Sequence, residues 1–467
     1  MLTIPASAPV PNAAMTPFES PLFLWPATAG SNEQQHLTVG GCDVVELAEQ
    51  HGTPLYLIDE LTVRESCERY RQALARHYAP GGMVHYACKA LLNTAVAQLI
   101  NAAGVGFDVV SGGELYVLLN SGVPAARIQF HGNAKTDAEL REAVQAGVGR
   151  IVVDNHDEIP RLAALARAAG RKLQLSLRVA PDVRVNTHGH IQTGHAQAKF
   201  GLPVNEVHRA VEDISRAGDL RVSGLHFHLG SQIFDLQAYR QGIEVVLNLA
   251  ARLRADFGIE IRELSPGGGL GVGYTESEQP ASIEGLVESV AQAVLGGCER
   301  RGLPMPQLVL EPGRSIVARA GVALYRIVGS KALAGQGGAV RYLHVDGGMA
   351  DNIRPALYGA RYTARLAHGG AGSASDIVHL SGRYCESSDI LIREVRLPSS
   401  AKAGDLVAIP MSGAYTLSMA SNYNGASKPA VLLVRDGVAK LIQRREKYAD
   451  LVVRDVPIAG PSAGMLP

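Results

Sequence analysis

Three short motifs place chemically reactive side chains directly after apolar segments. Lys89 lies near the end of HYACKA at residues 85–90. Glu311 in LEPGR follows the three apolar residues 308–310. His226 and His228 lie two residues apart in LHFHLGSQ, so on a strand they face the same side. A lysine that is partly removed from water has a lowered pKa and can form a Schiff base with an aldehyde. Alternatively, the lysine is solvated and the glutamate forms a structural ion pair with Arg314.

A fourth motif, SPGGGLGVGY, concentrates glycines just past another apolar segment. The backbone N–H groups of Gly267, Gly268 and Gly269 are not covered by side chains, so they can form a nest for an anion such as phosphate. The motif is not a dinucleotide-binding fingerprint, because Val272 and Tyr274 occupy positions that would have to be glycine. It is not a Walker A loop either. The alternative is a glycine-rich turn that binds nothing.

Two histidine-containing segments raise the alternative of a metal site. His226 and His228 lack a third ligand at a recognisable spacing, and the segment HGHIQTGH at residues 188–195 matches no zinc pattern. We therefore expect no metal. The other interpretation is a flat imidazole packed against a flat cofactor ring, with Ser231 following as a hydroxyl for a phosphate.

The second half of the chain adds further polar motifs. Cys385 and Glu386 lie in GRYCESSD, where the cysteine is either an acid or base or a buried structural thiol. Arg354 and Tyr358 in IRPALY can clamp a carboxylate, and Tyr415 in SGAY offers a phenol. A Schiff-base lysine, a glycine nest, a carboxylate for a ring nitrogen and a stacking imidazole together indicate a pyridoxal phosphate site.

The elements that must position these residues alternate between short apolar segments and helical patterns. The apolar segments are nearly continuous, which is typical of parallel strands covered on both faces. Eight strand–helix units over about 250 residues favour an α/β fold with a TIM-like (β/α)8 barrel, whose active site forms where the strands end. A doubly wound open sheet is the alternative. The predicted strands are residues 83–89, 105–111, 127–132, 150–155, 174–180, 221–230, 261–268 and 307–314.

The pattern changes near residue 315. Short strands joined by Gly, Ser and Pro replace the long helices, which predicts a C-terminal, mostly β domain. We place the barrel at residues 56–315 and the β domain at residues 316–467. Residues 35–55 are expected to pack with the β domain, and the proline-containing residues 1–34 to form a flexible extension.

Composition narrows the class of protein further. The 467 residues carry 44 basic and 44 acidic side chains, so we expect no nucleic-acid partner, which would require a basic excess. The hydrophobic fraction of 46% excludes a disordered chain. Five cysteines without a CxxC pair favour a reducing compartment. We find no signal sequence and no apolar stretch of the roughly 18 residues that span a membrane, so we expect a cytoplasmic protein.

Read in order, the motifs resemble those of the diaminopimelate decarboxylases. This family is a branch of the fold type III pyridoxal phosphate-dependent decarboxylases, which also include ornithine decarboxylase. The resemblance runs from about residue 38 to residue 435. The matching segments are YACKA, DVVSGGEL at 108–115, HGN at 131–133, HFHLGSQ, PGGGLG, EPGR, IRPALY, CES, SGAY and NYN at 422–424.

The resemblance implies that pyridoxal 5′-phosphate is the cofactor. It implies that Lys89 forms the Schiff base, that His228 stacks on the pyridine ring and that Glu311 pairs with the ring nitrogen. Asp108 is expected near the cofactor. The residues implied in holding the phosphate end are Ser231, Gly267, Gly268, Gly269, Gly313, Arg314 and Tyr415.

The resemblance also implies a substrate and a homodimer. Arg314, Arg354 and Tyr358 would grip the carboxylate at the retained, L-configured end of the substrate, close to Tyr415. Cys385 and Glu386 would come from the partner subunit, with Cys385 or a water it orients returning the proton to Cα. The implied reaction converts meso-2,6-diaminopimelate to L-lysine and carbon dioxide, the last step of the diaminopimelate route to lysine.

Two alternatives stay open at this point. One is another fold type III decarboxylase that acts on ornithine, arginine or a siderophore precursor, and the other is a non-catalytic regulatory relative. The chain departs from the family pattern at Leu91, Ala198, Arg383, Tyr384 and Ser388. None of these departures removes a group that the chemistry needs, but those beside Cys385 bear on substrate preference.

Overall fold

The structure, a computed structural model, describes residues 23–183, 199–335, 338–369 and 374–458. Ahead of the barrel, a small antiparallel sheet packs on the β domain, where the Leu37 N–H donates to the Ala367 carbonyl at 2.7 Å. We expected a flexible extension up to residue 34, but Leu24 and Trp25 are buried, so the packed chain begins by residue 24. The elements are β1 (Gly30–Ser31), β2 (Leu37–Val39), β3 (Cys42–Asp43), α1 (Val44–His51) and β4 (Leu55–Asp59).

Eight parallel strands form a closed barrel. Each strand pairs with the next, and the last returns to the first where Leu308 pairs with Gly82 and Leu310 with Val84. This closure confirms the predicted (β/α)8 barrel and excludes the doubly wound sheet. The barrel strands are β5 (Gly82–Ala87), β6 (Gly106–Val109), β7 (Ile128–Phe130), β8 (Arg150–Val153), β9 (Leu173–Ala180), β11 (Leu220–His226), β12 (Glu263–Gly267) and β13 (Gln307–Leu310), with a short β10 (Leu202–Pro203) beside β9.

Most of the helices lie between successive barrel strands and cover the barrel, while one precedes the first barrel strand and one follows the last. In the helix over residues 137–146, Leu140, Ala143 and Val144 are buried at helical spacing, and a capping box of Thr136 and Glu139 fixes where the helix begins. Within the described parts of the chain, no helix has both the length and the apolar character needed to cross a bilayer. The helices are α2 (Glu60–His77), α3 (Thr94–Ala102), α4 (Gly112–Asn120), α5 (Asp137–Ala146), α6 (Glu158–Ala169), α7 (Val207–Ala217), α8 (Gln237–Phe257), α9 (Ile283–Arg301) and α10 (Arg314–Val317).

The C-terminal domain is mostly β, as expected, but its sheet also includes β4 from the N-terminal part of the chain. Strand β4 lies between residues 321–324 and residues 430–434, so it belongs to this sheet and not to the barrel, which we had begun at residue 56. The remaining elements are β14 (Gly321–Gly335), β15 (Gly338–Val345), α11 (Arg354–Tyr358), β16 (Arg365–Leu366), β17 (Ser375–Ser381), β18 (Ile390–Pro398), β19 (Leu406–Ile409), β20 (Ala430–Arg435), β21 (Val438–Gln443) and α12 (Tyr448–Leu451).

A buried polar cluster fixes the turn that leads into α11. The Asp351 carboxylate accepts hydrogen bonds from the hydroxyls of Tyr56, at 3.1 Å, and Tyr325, and its second oxygen accepts one from the Gly348 N–H at 2.9 Å. All three side chains are buried. Burial raises the pKa of Asp351 to about 6, although these hydrogen bonds lower it. The cluster therefore ties β4 and β14 to the start of α11.

Replacing Asp351 with asparagine should change how stability depends on pH. The raised pKa means that the folded protein keeps Asp351 protonated up to pH of about 6, whereas the unfolded chain ionises near 3.8. The stability that Asp351 contributes is therefore complete at low pH and is lost as the pH rises from about 4 through about 6, a difference of about 3 kcal/mol. Measured by urea unfolding, the free energy of unfolding of Asp351→Asn should therefore rise relative to that of the wild type as the pH rises over the same range. The exposed Asp436→Asn variant is the control, and parallel wild-type and Asp351→Asn curves would contradict the prediction.

Candidate active site

A cavity of about 770 Å³ opens where the barrel strands end, and residues of both domains line it. Active sites of (β/α)8 barrels form at this end of the strands. Several predicted site residues therefore meet in one place, although they lie more than 300 residues apart in sequence. The predicted residues that line the cavity are Lys89, Asp108, His228, Ser231, Gly268, Gly269, Glu311, Gly313, Arg314, Arg354, Tyr358 and Tyr415.

Lys89 lies in a 3-10 turn, Cys88–Ala90, that follows β5. We expected its side chain to be partly desolvated, but it is exposed to the open cavity, because the turn lifts it beyond the last residue of the strand. The turn is held from the β domain, where the Tyr415 N–H donates to the Ala90 carbonyl at 2.8 Å. Tyr415 has a φ of +58°, a conformation that non-glycine residues rarely adopt and that is frequent at functional sites.

Glu311 is a buried carboxylate at the end of β13. It accepts hydrogen bonds at 2.9 Å from His226 Nε2 and from the Ser265 hydroxyl, and His131 Nε2 lies 3.5 Å from Oε1. Burial alone would raise the pKa of Glu311, but the imidazoles of His226 and His131 outweigh burial and hold it well below its usual value. The structure shows no ion pair between Glu311 and Arg314, so the structural alternative for this glutamate is wrong.

His131 lies between two carboxylates. Its Nε2 atom is 3.5 Å from Glu311 Oε1 and 3.7 Å from Asp108 Oδ1. Burial lowers the pKa of His131, but the two carboxylates outweigh burial and raise it above the usual value. The ring of His131 therefore lies where it separates the carboxylates of Asp108 and Glu311 from each other. The HGN motif at residues 131–133 is visible in the sequence, but nothing there indicates this role for His131.

His131, His226 and Glu311 could also act as metal ligands, since their candidate atoms lie within 4.8 Å of one another. The bonds already made argue against this use. Both Glu311 oxygens already accept hydrogen bonds, one from His226 and one from the Ser265 hydroxyl. The histidine segment at residues 188–195 lies outside the described residues.

The glycine motif passes between two backbone segments. A Cβ atom at Gly268 would lie 2.0 Å from the Glu311 carbonyl oxygen, and one at Gly269 would lie 2.3 Å from the Gly230 carbonyl oxygen. No other residue fits at either position. The Tyr239 hydroxyl donates to the Gly268 carbonyl at 2.9 Å, which fixes the orientation of the peptide that joins Gly268 to Gly269.

His228 packs on the same loop. A Cβ atom at Gly267 would come within 2.6 Å of His228 Nδ1, so the histidine ring lies directly against the glycine backbone. Burial lowers the pKa of His228 well below its usual value, which makes the ring neutral. A neutral, flat ring at the cavity wall can stack on an aromatic molecule.

Two buried arginines line the cavity without a carboxylate partner among the described residues. Arg314 donates to the Ser231 hydroxyl at 3.1 Å and to the Tyr274 hydroxyl, and it lies 4.6 Å from the centre of the Tyr415 ring. Arg354 donates to the Tyr362 hydroxyl, and its Cζ atom lies 4.3 Å from the centre of the Tyr274 ring. Two buried positive charges in one cavity favour an anionic ligand.

Three further residues at the cavity have no role that could be assigned from the sequence. Tyr274 and Tyr362 hold the two arginines, and their ring centroids lie 5.1 Å apart. Arg178 on β9 lines the cavity, and its Cζ atom lies 4.5 Å from the centre of the Phe200 ring. The signal available for Arg178 was that it is the one charged residue in the strand Leu173–Ala180.

Cys385 and Glu386 lie apart from the cavity that contains Lys89. Both are exposed on the β domain, and Cys385 lines a different cavity. The Cys385 N–H donates to Asn424 Oδ1 at 3.2 Å, and the Tyr423 hydroxyl donates to Glu386. The motifs CES and NYN therefore contact each other and present the cysteine on the surface.

The residues of the cavity fit pyridoxal phosphate. Asp108 Oδ1 and Arg314 Nε are buried and have no hydrogen-bond partner among the described residues, which is unusual unless a polar molecule supplies one. Arg314 and the glycine loop offer a place for a phosphate. Glu311 offers a carboxylate for a protonated ring nitrogen, and Lys89 offers an amine for an aldehyde.

Comparisons with known proteins agree with this chemistry. The pyridoxal binding domain of the pyridoxal-dependent decarboxylases matches residues 61–318. The diaminopimelate decarboxylase of Synechocystis is 40% identical over 96% of this chain and 97% of its own length, and that of Bacillus subtilis is 40% identical over 92% and 97%. The crystal structure of diaminopimelate decarboxylase from M. jannaschii in co-complex with L-lysine is 33% identical, has a TM-score of 0.85 and covers 92% of this chain and 98% of that one. The chain therefore belongs to the diaminopimelate decarboxylase family of pyridoxal-dependent decarboxylases.

Proposed function

We propose that this protein uses pyridoxal phosphate to decarboxylate meso-2,6-diaminopimelate to L-lysine and carbon dioxide, the last step of the diaminopimelate route to lysine. The observation that carries the proposal is the pair of buried, carboxylate-free arginines, Arg314 and Arg354, in the cavity that also holds Lys89 and Glu311. A substrate with a second carboxylate satisfies these charges. The names of the relatives support the same substrate.

The cavity residues divide into those for the cofactor and those for the substrate. Lys89 supplies the amine, His228 a stacking surface, and Glu311 a fixed anion at the ring nitrogen. Asp108 contributes a second carboxylate near His131. The groups proposed to hold the phosphate end are Ser231, the backbone of Gly267, Gly268, Gly269 and Gly313, the Arg314 guanidinium and the Tyr415 hydroxyl.

Bound pyridoxal phosphate supplies an aldehyde that reacts with amines and a pyridinium ring that accepts the electron pair left when carbon dioxide departs. The protein must keep the ring nitrogen protonated, because only the charged ring accepts that pair well. Glu311 does this as an anion that stays ionised in the buried site, and His226 and Ser265 hold its two oxygens in place. Glu311 needs these partners, because a buried carboxylate without them would take up a proton itself.

The two carboxylates of the substrate are distinguished by the side chains of Arg354, Arg314 and Tyr358. They bind the one at the L-configured end, so the carboxylate at the D-configured end is the one that reacts. A substrate without the distal carboxylate would leave buried guanidinium groups unpaired, which costs more than losing an apolar contact of the same size.

We further propose that the active protein is a homodimer with shared sites. The reaction needs an acid that returns a proton to Cα, and in the described part of one chain Cys385 lies outside the cavity. Exposure of Cys385 and Glu386 on the β domain supports their insertion into the site of a second copy. The Cys385 Sγ–H, or a water that it holds, is then the proton donor, and Glu386 meets the distal ammonium of the substrate.

We place the protein in the cytoplasm. All five cysteines are free thiols, and four of them are buried. Free thiols persist in a reducing compartment, where disulfides are rare.

Two alternatives are less well supported. A decarboxylase of ornithine or arginine would have no ligand for Arg354, whose buried charge lies 4.3 Å from the Tyr274 ring and has no carboxylate partner in the described chain. A regulatory binding protein on this scaffold would not need Lys89, Glu311 and His228 together. All three side chains are present and line one cavity.

Lys89→Ala should abolish turnover and leave the fold intact, because the exposed side chain contributes little packing. Wild-type protein with bound cofactor should be yellow and should be bleached by borohydride, whereas the variant should not form the borohydride-stable adduct. Carbon dioxide release, absorbance and far-UV circular dichroism measure these effects. Lys172→Ala, an exposed lysine far from the cavity, is the control. Full activity of Lys89→Ala would refute the proposed role.

A substrate panel should separate meso-diaminopimelate from lysine and ornithine. Release of carbon dioxide should be far faster from meso-diaminopimelate, and Arg354→Gln should lower kcat/KM for it by about 10- to 100-fold, the value of a charged hydrogen bond. The exposed Arg393→Gln should match wild type. Equal turnover of ornithine by the wild-type enzyme would overturn the substrate.

Mixing two inactive variants should restore activity if sites are shared. In a dimer of one Lys89→Ala chain and one Cys385→Ala chain, one site keeps both wild-type residues, so an equal mixture should recover about a quarter of wild-type activity. Subunit exchange is confirmed by mass spectrometry of differently tagged chains. No recovery after confirmed exchange would mean that each chain forms its own complete site.

A further inference from the structure

The opposite, N-terminal end of the barrel contains a second cavity that the proposed reaction does not use. It has a volume of about 520 Å³, within the range of small-molecule sites. Helix α2 and the first residues of β5, β6 and β8 surround it. Lys89 and the arginines of the active site do not line it, so it is a separate space within the described chain.

His85 on β5 offers this cavity a buried hydrogen-bonding group. The side chain is only 6% exposed, and its Nδ1 atom has no partner among the described residues. A Cβ atom at Gly106 would come within 2.7 Å of the His85 ring, so the glycine makes room for it. Burial lowers the pKa of His85 to about 4, so the ring is neutral at pH 7. A buried ring nitrogen without a partner is costly unless a ligand or water satisfies it.

Arg127 adds a positive charge at the same cavity. Its guanidinium donates to Asn101 Oδ1 at 2.7 Å and to the Val105 carbonyl at 3.0 Å, and no carboxylate of the described chain lies within 4 Å. The other arginines of the cavity are paired. Arg150 binds Glu263, and Arg71 lies 2.6 Å from Glu68. The cavity therefore carries one uncompensated positive charge on a half-buried side chain.

The remaining wall is apolar or bare backbone. Leu74, Tyr78, Met83 and Ile128 contribute apolar surface. At Gly149 a Cβ atom would lie 2.1 Å from the Ala126 carbonyl oxygen, so the wall stays free of a side chain there. One positive charge, a free ring nitrogen and an apolar wall together suit a compact molecule with a single negative charge.

We propose that this cavity is a second binding site, for a small organic acid whose carboxylate meets Arg127 and whose apolar body lies along α2. It does not depend on the proposed reaction. It is, however, connected to the active site through the barrel interior, because Gln129 lines this cavity and its Oε1 atom lies 3.4 Å from His131 Nε2.

The test is calorimetric titration of the holoenzyme with benzoate, and with benzamide as the uncharged isostere. Benzoate should bind saturably. Benzamide should bind more weakly than benzoate by about tenfold or by a larger factor. Since Arg354 also binds carboxylates, the variants Arg127→Gln and Arg354→Gln are compared. Arg127→Gln should weaken benzoate binding by about tenfold, and Arg354→Gln should leave this binding unchanged.

A second pair of variants guards against misfolding of Arg127→Gln, since Arg127 also braces the Val105 carbonyl. Ala75 is exposed on α2 and lines the cavity, so Ala75→Trp should block benzoate while circular dichroism and turnover stay as in wild type. Gln72→Trp, on the same helix but outside the cavity, should bind benzoate normally. Absence of saturable binding, or binding that is lost in Arg354→Gln and kept in Arg127→Gln and Ala75→Trp, would overturn the proposal.

Discussion

A buried carboxylate that must remain ionised is the constraint on which the rest of the active-site end depends. Glu311 is 6% exposed, and burial on its own would favour the neutral acid. The barrel answers this with His226, Ser265 and His131, which come from three other strands or strand ends. Closure of the barrel brings these four strand ends around one carboxylate, so the fold supports the charged state of Glu311.

Buried charge also matters for the two arginines of the cavity, which keep a positive charge without a carboxylate partner among the described residues. Arg314 and Arg354 are buried against tyrosines and not against carboxylates. Aromatic faces and hydroxyls make burial of the guanidinium tolerable without neutralising it. The positive charge therefore remains available to an incoming anion. Had acidic residues stood in place of Tyr274 and Tyr362, the arginines would be paired and the cavity would lose this uncompensated positive charge.

The barrel, and the placement of many polar residues at the ends of its strands, were predictable from the sequence for a physical reason. Strands covered on both faces leave near-continuous apolar runs, and reactive side chains stand out directly after them, as Lys89 and Glu311 do. The supporting residues could not be found this way. His131 and Tyr274 act through tertiary neighbours that sequence does not reveal, and the exposure of Lys89 depends on a turn held by Tyr415 from the other domain. The inclusion of β4 in the β domain was missed because a short apolar strand carries no mark of its partners.

Strand β4 has a consequence for how the protein is made. Its residues 55–59 pair in parallel with residues 430–434, so the middle of the β sheet is completed by segments from nearly opposite ends of the chain. During synthesis on the ribosome β4 emerges early and must wait for its neighbour, presenting an unpaired edge of the kind that promotes association between nascent chains. For the same reason the two domains cannot be separated by a single cut. A barrel fragment that includes β4 would carry a strand without its partners, and one that lacks β4 would leave the β domain without a central strand.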